Sequence, residues 1–323
     1  MNDTHIYFLL DGFSSISQYR VYLILLFLTA YLLTLSGNML IVLVVRNDVQ
    51  LHTPMYFFIT NLSILEIWYI STTVPKLISV MATGSNKISF QWCFTQLYLF
   101  HSLGITECKL LAVMAFDRCM AICNPLRYST IMSVQMCRRL AAVCWCAGFM
   151  MACIPTTLTI RVPFCGPYYL KHYFCDLAPL LRLACSDTTL TDSVNRFVGG
   201  FATLFNLGIV IIMYLCIIYA VIKIKTNTGR TKAFSTCSSH LIVVTLFYSS
   251  ACIVYASPKG SRPADYDKMF ALVYAMLTPL FNPIIYSFRN KAVKSALVSG
   301  IHGLHSKVRG QQVQIPVPQP RTH

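Results

Sequence analysis

The sequence predicts an all-α membrane protein, built as a bundle of seven membrane-spanning helices. Three observations predict it. Of 323 residues, 56% are hydrophobic and only 11% are charged, against about 25% charged in an ordinary soluble domain. Seven runs reach the ~20 largely apolar residues a helix needs to cross a bilayer, at 21–45, 54–75, 88–116, 140–160, 197–222, 233–257 and 269–288. The basic residues gather in alternate connections, the asymmetry that orients membrane proteins.

Residues 1–20 are short and mixed and show no signal-peptide cleavage pattern, so the first run is expected to act as an uncleaved anchor. This gives an extracellular N-terminus over 1–20, a transmembrane domain over 21–288 and a cytoplasmic tail over 289–323. Asn2-Asp3-Thr4 is a glycosylation sequon on the side assigned as external. The run at 21–45 carries no charge. That at 54–75 carries only Glu66, and its own sequon, Asn61-Leu62-Ser63, falls within the span and should stay unmodified. The run at 88–116 holds Glu107 and Lys109, and the remaining four hold no Asp, Glu, Lys or Arg. Backbone groups in lipid must be satisfied internally, so each run is read as a helix.

With the N-terminus outside, the cytoplasmic segments hold 15 basic residues against Asp48 and Asp117, and the external ones hold 10 basic against 7 acidic. The net charge of +15 is thus an orientation signal. Nucleic-acid binding would need a soluble basic face, and the sequence has none. A transporter would show broken helices or a repeat in two halves, and a membrane enzyme a catalytic set such as H-E-x-x-H; neither pattern is present, so no enzymatic activity and no cofactor are expected.

Residues 114–128 read M-A-F-D-R-C-M-A-I-C-N-P-L-R-Y and close the third run. An Asp117–Arg118 pair where a helix leaves the membrane, followed by a basic Pro-containing turn, resembles the inner end of helix three in G-protein-coupled receptors. The wording A-I-C-x-P-L-x-Y resembles the odorant (olfactory) receptors in particular. L-H-T-P-M-Y-F at 51–57, K-A-F-S-T-C-S-S-H-L at 232–241 and P-L-F-N-P-I-I-Y-S-F-R-N at 279–290 extend the likeness over nearly the whole chain. Phe116 and Cys119 stand where the family has tyrosines, Glu66 where it has Asp, and Tyr248 where the broader superfamily has Trp.

The resemblance implies a short amphipathic eighth helix after 288. It also implies function: binding of a small, mostly apolar odorant within the bundle and activation of a stimulatory heterotrimeric G protein, raising cyclic AMP, in the plasma membrane of olfactory cilia. A receptor for another small metabolite outside the olfactory epithelium, or a small-solute transporter, is the alternative. Four cysteines, Cys93, Cys165, Cys175 and Cys185, fall outside, and four cysteines allow three pairings. The family pattern implies Cys93–Cys175 and Cys165–Cys185.

Intramembrane ionisable groups default to function. By resemblance, Asn38, Glu66, Glu107, His240 and Asn282 form a central polar cluster, which holds a water network, a sodium ion at Glu66 and Glu107, or a Glu107–His240 contact that breaks on activation; the alternative is a satisfied core network with no ion. No transition-metal spacing is specific. Asp117, Arg118, Tyr214, His240, Asn282, Pro283 and Tyr286 carry the switch and the coupling. Lys109 cannot face Glu107 two residues away and is expected to destabilise mildly. The ligand-binding residues implied are Leu97, Phe100, His101, Gly104 and Ile105 on helix three; Asn195, Val198, Gly199 and Ala202 on helix five; Tyr248, Ala251, Cys252 and Tyr255 on helix six; and Leu272 and Ala275 on helix seven. No Asp stands at Phe100, which argues against a cationic amine, and His101, Asn195 and Tyr255 suggest a ligand oxygen.

Overall fold

The computed structural model describes residues 7–256, 268–269 and 271–289. The first long helix, α1 (Arg20–Asn47), is followed by α2 (Pro54–Thr83), α3 (Phe90–Cys123), α4 (Val134–Ile160), α5 (Thr189–Lys223) and α6 (Asn227–Ala256). The seventh, α7, comprises a wide π-helical turn at Val273–Leu277 and the helix Thr278–Arg289. Five of these, α1 to α5, are long and apolar enough to cross a membrane, and α6 and α7 contribute shorter apolar stretches at Cys237–Cys252 and Ala275–Tyr286. The bundle is a multi-pass membrane fold. The eighth helix and Asn2 fall outside the described residues.

Local signals place the helix ends. Pro54 opens α2 behind Thr53, where its missing N–H costs nothing and its fixed φ already suits a helix. Ser89 and Ser133 cap α3 and α4, each hydroxyl accepting a backbone N–H two places into the helix. Gly84, at φ 74°, ends α2 in the left-handed region open to glycine. The helices outrun the apolar runs. The sequence expectation ended the second span at Pro75, whereas α2 continues through it to Thr83. A proline inside a helix frees carbonyls of the preceding turn, and the Thr72 carbonyl there accepts the Gln96 side-chain amide of α3 at 2.8 Å.

One core cluster joins all seven helices, with Leu110, Leu111 and Ala115 of α3 at its centre. α3 packs against α2, α4, α5 and α6. Its closest approach is to α4, where Gly148 lies so near α3 that a Cβ there would stand 2.0 Å from Thr106 Oγ. Lys109 is only partly buried, and among the described residues it forms no hydrogen bond.

A small sheet covers one end of the bundle. β1 (Tyr7–Leu10) runs antiparallel to β2 (Lys87–Ser89), with Phe8 opposite Ile88, and parallel to β3 (Tyr169–Leu170), with Leu9 opposite Tyr169. Alternation along β1 turns Phe8 and Leu10 inward, onto a second core with Ile88, Phe94, Leu97 and Leu180. Two disulfides, Cys93–Cys175 and Cys165–Cys185, fasten the segment after α4 to α3 and to itself. A buried ion pair, Asp11–Lys268, ties the strand to the start of α7. Burial pushes the Asp11 carboxyl up, but hydrogen bonds from Lys268 and Ser14 outweigh it and hold the group below its ordinary value.

Candidate ligand pocket and the two clusters along helix three

Beneath the sheet an enclosed cavity of about 60 Å³ lies between α3, α4, α5 and α6. From α3 it takes Phe100, His101, Gly104, Ile105 and Cys108, positions three to four apart that form one helical stripe. α5 gives Asn195, Val198, Gly199, Ala202 and Thr203 on the same principle, α6 gives Phe247 and Ala251, α4 gives Pro155, and Leu177 closes the top. On the α2 side Tyr69 stacks on Phe100 at 4.8 Å, and Phe100 in turn meets Phe174 of the roof at 4.5 Å.

The roof is held by polar bonds as well as by sulfur. Gln96, which fills the Pro75 kink with its amide N–H, accepts the Cys175 backbone N–H at 3.0 Å with its other side-chain atom. Asp176 then caps a one-turn helix, Leu177–Leu181, and presents Oδ1 3.5 Å from His101 Nε2. His101 Nδ1 faces the Leu97 carbonyl at 2.9 Å. A carbonyl only accepts, so Nδ1 carries a proton. A wider groove of about 230 Å³ lies above, beside Gly12, Arg20 and Val80; it shares no residue with the enclosed cavity.

Nine of the fifteen residues expected to bind ligand line this cavity: Phe100, His101, Gly104, Ile105, Asn195, Val198, Gly199, Ala202 and Ala251. Five do not. Leu97 points a turn higher, into the core beneath the sheet. Tyr248 turns its hydroxyl to the Cys108 carbonyl at 3.0 Å, and its neighbour Phe247 takes the wall instead. Cys252 lies off the cavity, and Leu272 and Ala275 pack in the main core of α7. The stacked Tyr69–Phe100 pair lines the α2 side, and among the described residues none from α7 lines the cavity. The side chain of Tyr255 lies outside the described residues. Sequence reasoning missed Cys108 and Thr203, and with them Tyr69, Pro155, Leu177 and Phe247. The first two continue the stripes Gly104–Cys108 and Gly199–Thr203 by one turn, a signal that could have been followed.

Midway along α3 the polar residues gather only in part. Asn282 of α7 donates to Glu66, and Asn38 donates to the Pro279 carbonyl at 3.3 Å. Glu107, fully buried, lies near enough to Glu66 to act on it through charge. Both Glu107 oxygens, the second Glu66 oxygen and the amide oxygens of Asn38 and Asn282 are buried without a hydrogen-bond partner among the described residues. Such oxygens demand donors: carboxyl protons, water or a hard cation such as sodium. Among the described residues no three His, Cys, Asp or Glu side chains converge as a metal site. The expected Glu107–His240 contact is not formed. His240 pairs with the Tyr214 hydroxyl at 2.8 Å, a turn nearer the far end.

At that end Arg118 and Asp117 are buried together, 3.2 Å apart. The Tyr128 hydroxyl donates to the other Asp117 oxygen at 2.7 Å. Tyr128 stood in the quoted motif without a role; the turn after α3 brings it back 11 residues to hold the carboxylate. Tyr214 of α5, His240 of α6 and Tyr286 of α7 are buried within reach of the Arg118 charge. Asn282 and Pro283 sit a turn above, and Pro283 lies against Gly37 of α1.

Comparison with known proteins accords with this geometry. Residues 27–302 match the model of the olfactory receptor family. The chain is 44% identical over 299 residues to olfactory receptor 226 of Rattus norvegicus, covering 91% of each. It is 46% identical over 290 residues to olfactory receptor 5A2 of Homo sapiens, covering 90% of each. Against olfactory receptor 11H4 of Homo sapiens the identity is 43% over 303 residues, covering 93% of this chain and 94% of that one.

Proposed function

The chain belongs to the olfactory receptor family, and from that premise we propose that it binds a small, mostly apolar odorant in the cavity between α3, α4, α5 and α6 and activates a stimulatory heterotrimeric G protein. The outcome is a rise in cyclic AMP. The disulfide-bearing end faces outside and the Arg118 end faces the cytoplasm, in the plasma membrane of olfactory cilia. The observation that carries this reading is the course of α3. One helix lines an enclosed, largely apolar cavity at Phe100, His101 and Gly104 and ends in the buried Asp117–Arg118 pair. Occupancy of the cavity and release of the pair can therefore be coupled through a single packed element.

In this reading the resting state is the one described. Asp117, held by Tyr128, retains Arg118 beneath α6. Movement of α6 away from α3 parts Tyr214 from His240, and Arg118 is freed for the G protein. Tyr214 and Tyr286, both buried beside it, then supply hydroxyls to the opened form. The test is a cyclic AMP assay over an odorant panel in cells bearing the receptor at the surface. Activation by a subset of odorants, abolished when Ala202→Trp fills the cavity, supports the reading. Activation unaffected by that substitution places the ligand elsewhere.

A further inference from the structure

The polar groups of the cavity are fixed, and they are mismatched in a way that specifies a ligand. Asn195 is 7% exposed and lines the wall. Its Nδ2 donates to Thr159 Oγ at 3.3 Å. The Thr159 hydroxyl has already committed its own proton to the Pro155 carbonyl at 2.8 Å. The amide is thereby oriented, since turning it over would set its oxygen against an oxygen with no proton left to give. Asn195 Oδ1 is left buried with no donor among the described residues.

The same deficit recurs at the roof. With Nδ1 donating to Leu97, a neutral His101 offers a bare Nε2, and that atom faces the Asp176 carboxylate oxygen at 3.5 Å. Two acceptors oppose each other unless a proton comes between them or the ring gains one. Asp176 Oδ1 already takes the Leu177 N–H at 2.8 Å. Of the remaining walls, Ile105, Val198, Ala202, Phe247 and Ala251 are apolar, while Tyr69, Cys108 and Thr203 add a phenol, a thiol and a hydroxyl on the α2 side and at the floor.

We infer that the cavity selects odorants carrying an O–H or N–H donor, alcohols and phenols above all, over ketones, aldehydes, esters and ethers of the same skeleton, with Asn195 Oδ1 as the acceptor. This rests on the cavity being the odorant site. A hydroxyl satisfies Asn195 with its proton. A ketone or ether brings only acceptors and leaves Asn195 Oδ1 buried and unpaired, a loss that corresponds to about ten- to hundredfold in potency. The discrimination comes from the group left unpaired in the protein rather than from the fit of the carbon skeleton.

The experiment is a cyclic AMP dose–response with matched sets of medium-chain alcohols, phenols, methyl ethers and ketones, on full-length receptor with surface level measured. In the native chain the hydroxyl compounds should be about ten- to hundredfold more potent than their ethers. Asn195→Asp keeps an acceptor and should keep the preference. Asn195→Leu keeps the bulk and should bring the alcohol-to-ether ratio close to one. Ethers or ketones as potent as alcohols on the native chain overturn the inference, and so does an unchanged ratio in Asn195→Leu. In both cases the cavity remains the odorant site if Ala202→Trp still blocks the response. The native ratio and Asn195→Asp decide the matter should Asn195→Leu fail to reach the surface. A panel silent on surface-verified receptor overturns the reading of the cavity itself, and the donor preference with it.

Discussion

Replacing Gly148 with alanine adds one methyl where α4 meets α3. The new Cβ would stand 2.0 Å from Thr106 Oγ, 2.9 Å from the Ser102 carbonyl oxygen and 3.0 Å from the Thr106 backbone nitrogen. The first contact can be relieved by turning Thr106, at the loss of its 2.7 Å hydrogen bond to Ser102. The other two are backbone atoms of α3, so the helices themselves must part by about half an ångström to restore ordinary contact. A gap of that size forfeits roughly a quarter of each dispersion well along the seam, and overpacking of this kind costs about 1–3 kcal/mol. That is about a 5- to 150-fold fall in the folded-to-unfolded ratio, large against a marginal stability. Surface staining of tagged receptor and the melting temperature in detergent both measure it. Gly148→Ala should reach the surface poorly and melt lower, and Thr106→Ala in the same chain should restore only part of the loss. Gly200→Ala and Gly208→Ala, with nothing within 4 Å, should match or exceed the native chain. Native delivery and melting of Gly148→Ala would refute the close-packed seam.

Lys109→Leu removes a charge that costs about 2.5–3.5 kcal/mol at the centre of a spanning helix; surface level should rise or hold with the odorant response kept, and a clear fall would reveal a partner for the ammonium. Cys175→Ala should lower surface delivery more than Cys165→Ala. The Cys93–Cys175 bridge closes 82 residues against 20, roughly 1 kcal/mol more in chain entropy, and of the two bridges it is the one that ties the roof to α3. The Asp11–Lys268 pair should lend stability above the ordinary carboxylate value of 3.8 and lose it as the pH falls below that through the lowered folded value. Asp11→Asn should therefore show less loss of thermal stability on acidification there, and equal acid sensitivity in both proteins would remove the pair from the account.

The bundle was legible because lipid leaves a chain few choices: long uncharged runs must be helices, and basic residues mark the connections. What was not legible lies where side chains act across helices. Pro75 reads as a stop, yet α2 passes through it, and the Thr72 carbonyl in the turn before takes a donor from Gln96, 24 residues beyond Thr72. Leu97 and Phe100 sit a turn apart on one stripe of α3, and only the sheet above shows that the first belongs to a core and the second to the cavity. Motif reading left His240 open between a contact with Glu107 and a watery or ion-bearing cluster, whereas its Nδ1 meets the hydroxyl of Tyr214. Tyr69, a residue no motif marks, lines the α2 side of the cavity with its ring stacked on Phe100.

The central claim is that a ligand held beside His101 and Asn195 is reported at Arg118. The measurement that bears on it most directly is cyclic AMP output of native, Arg118→Lys and Arg118→Ala receptors at matched surface level, alongside binding of an activating odorant to each. Lysine keeps the charge but lacks the planar fork of the guanidinium. The account predicts that both variants bind the odorant as the native chain does and that both lose the cyclic AMP response. Full output from Arg118→Lys would contradict it, leaving Arg118 as one more positive charge at the membrane boundary.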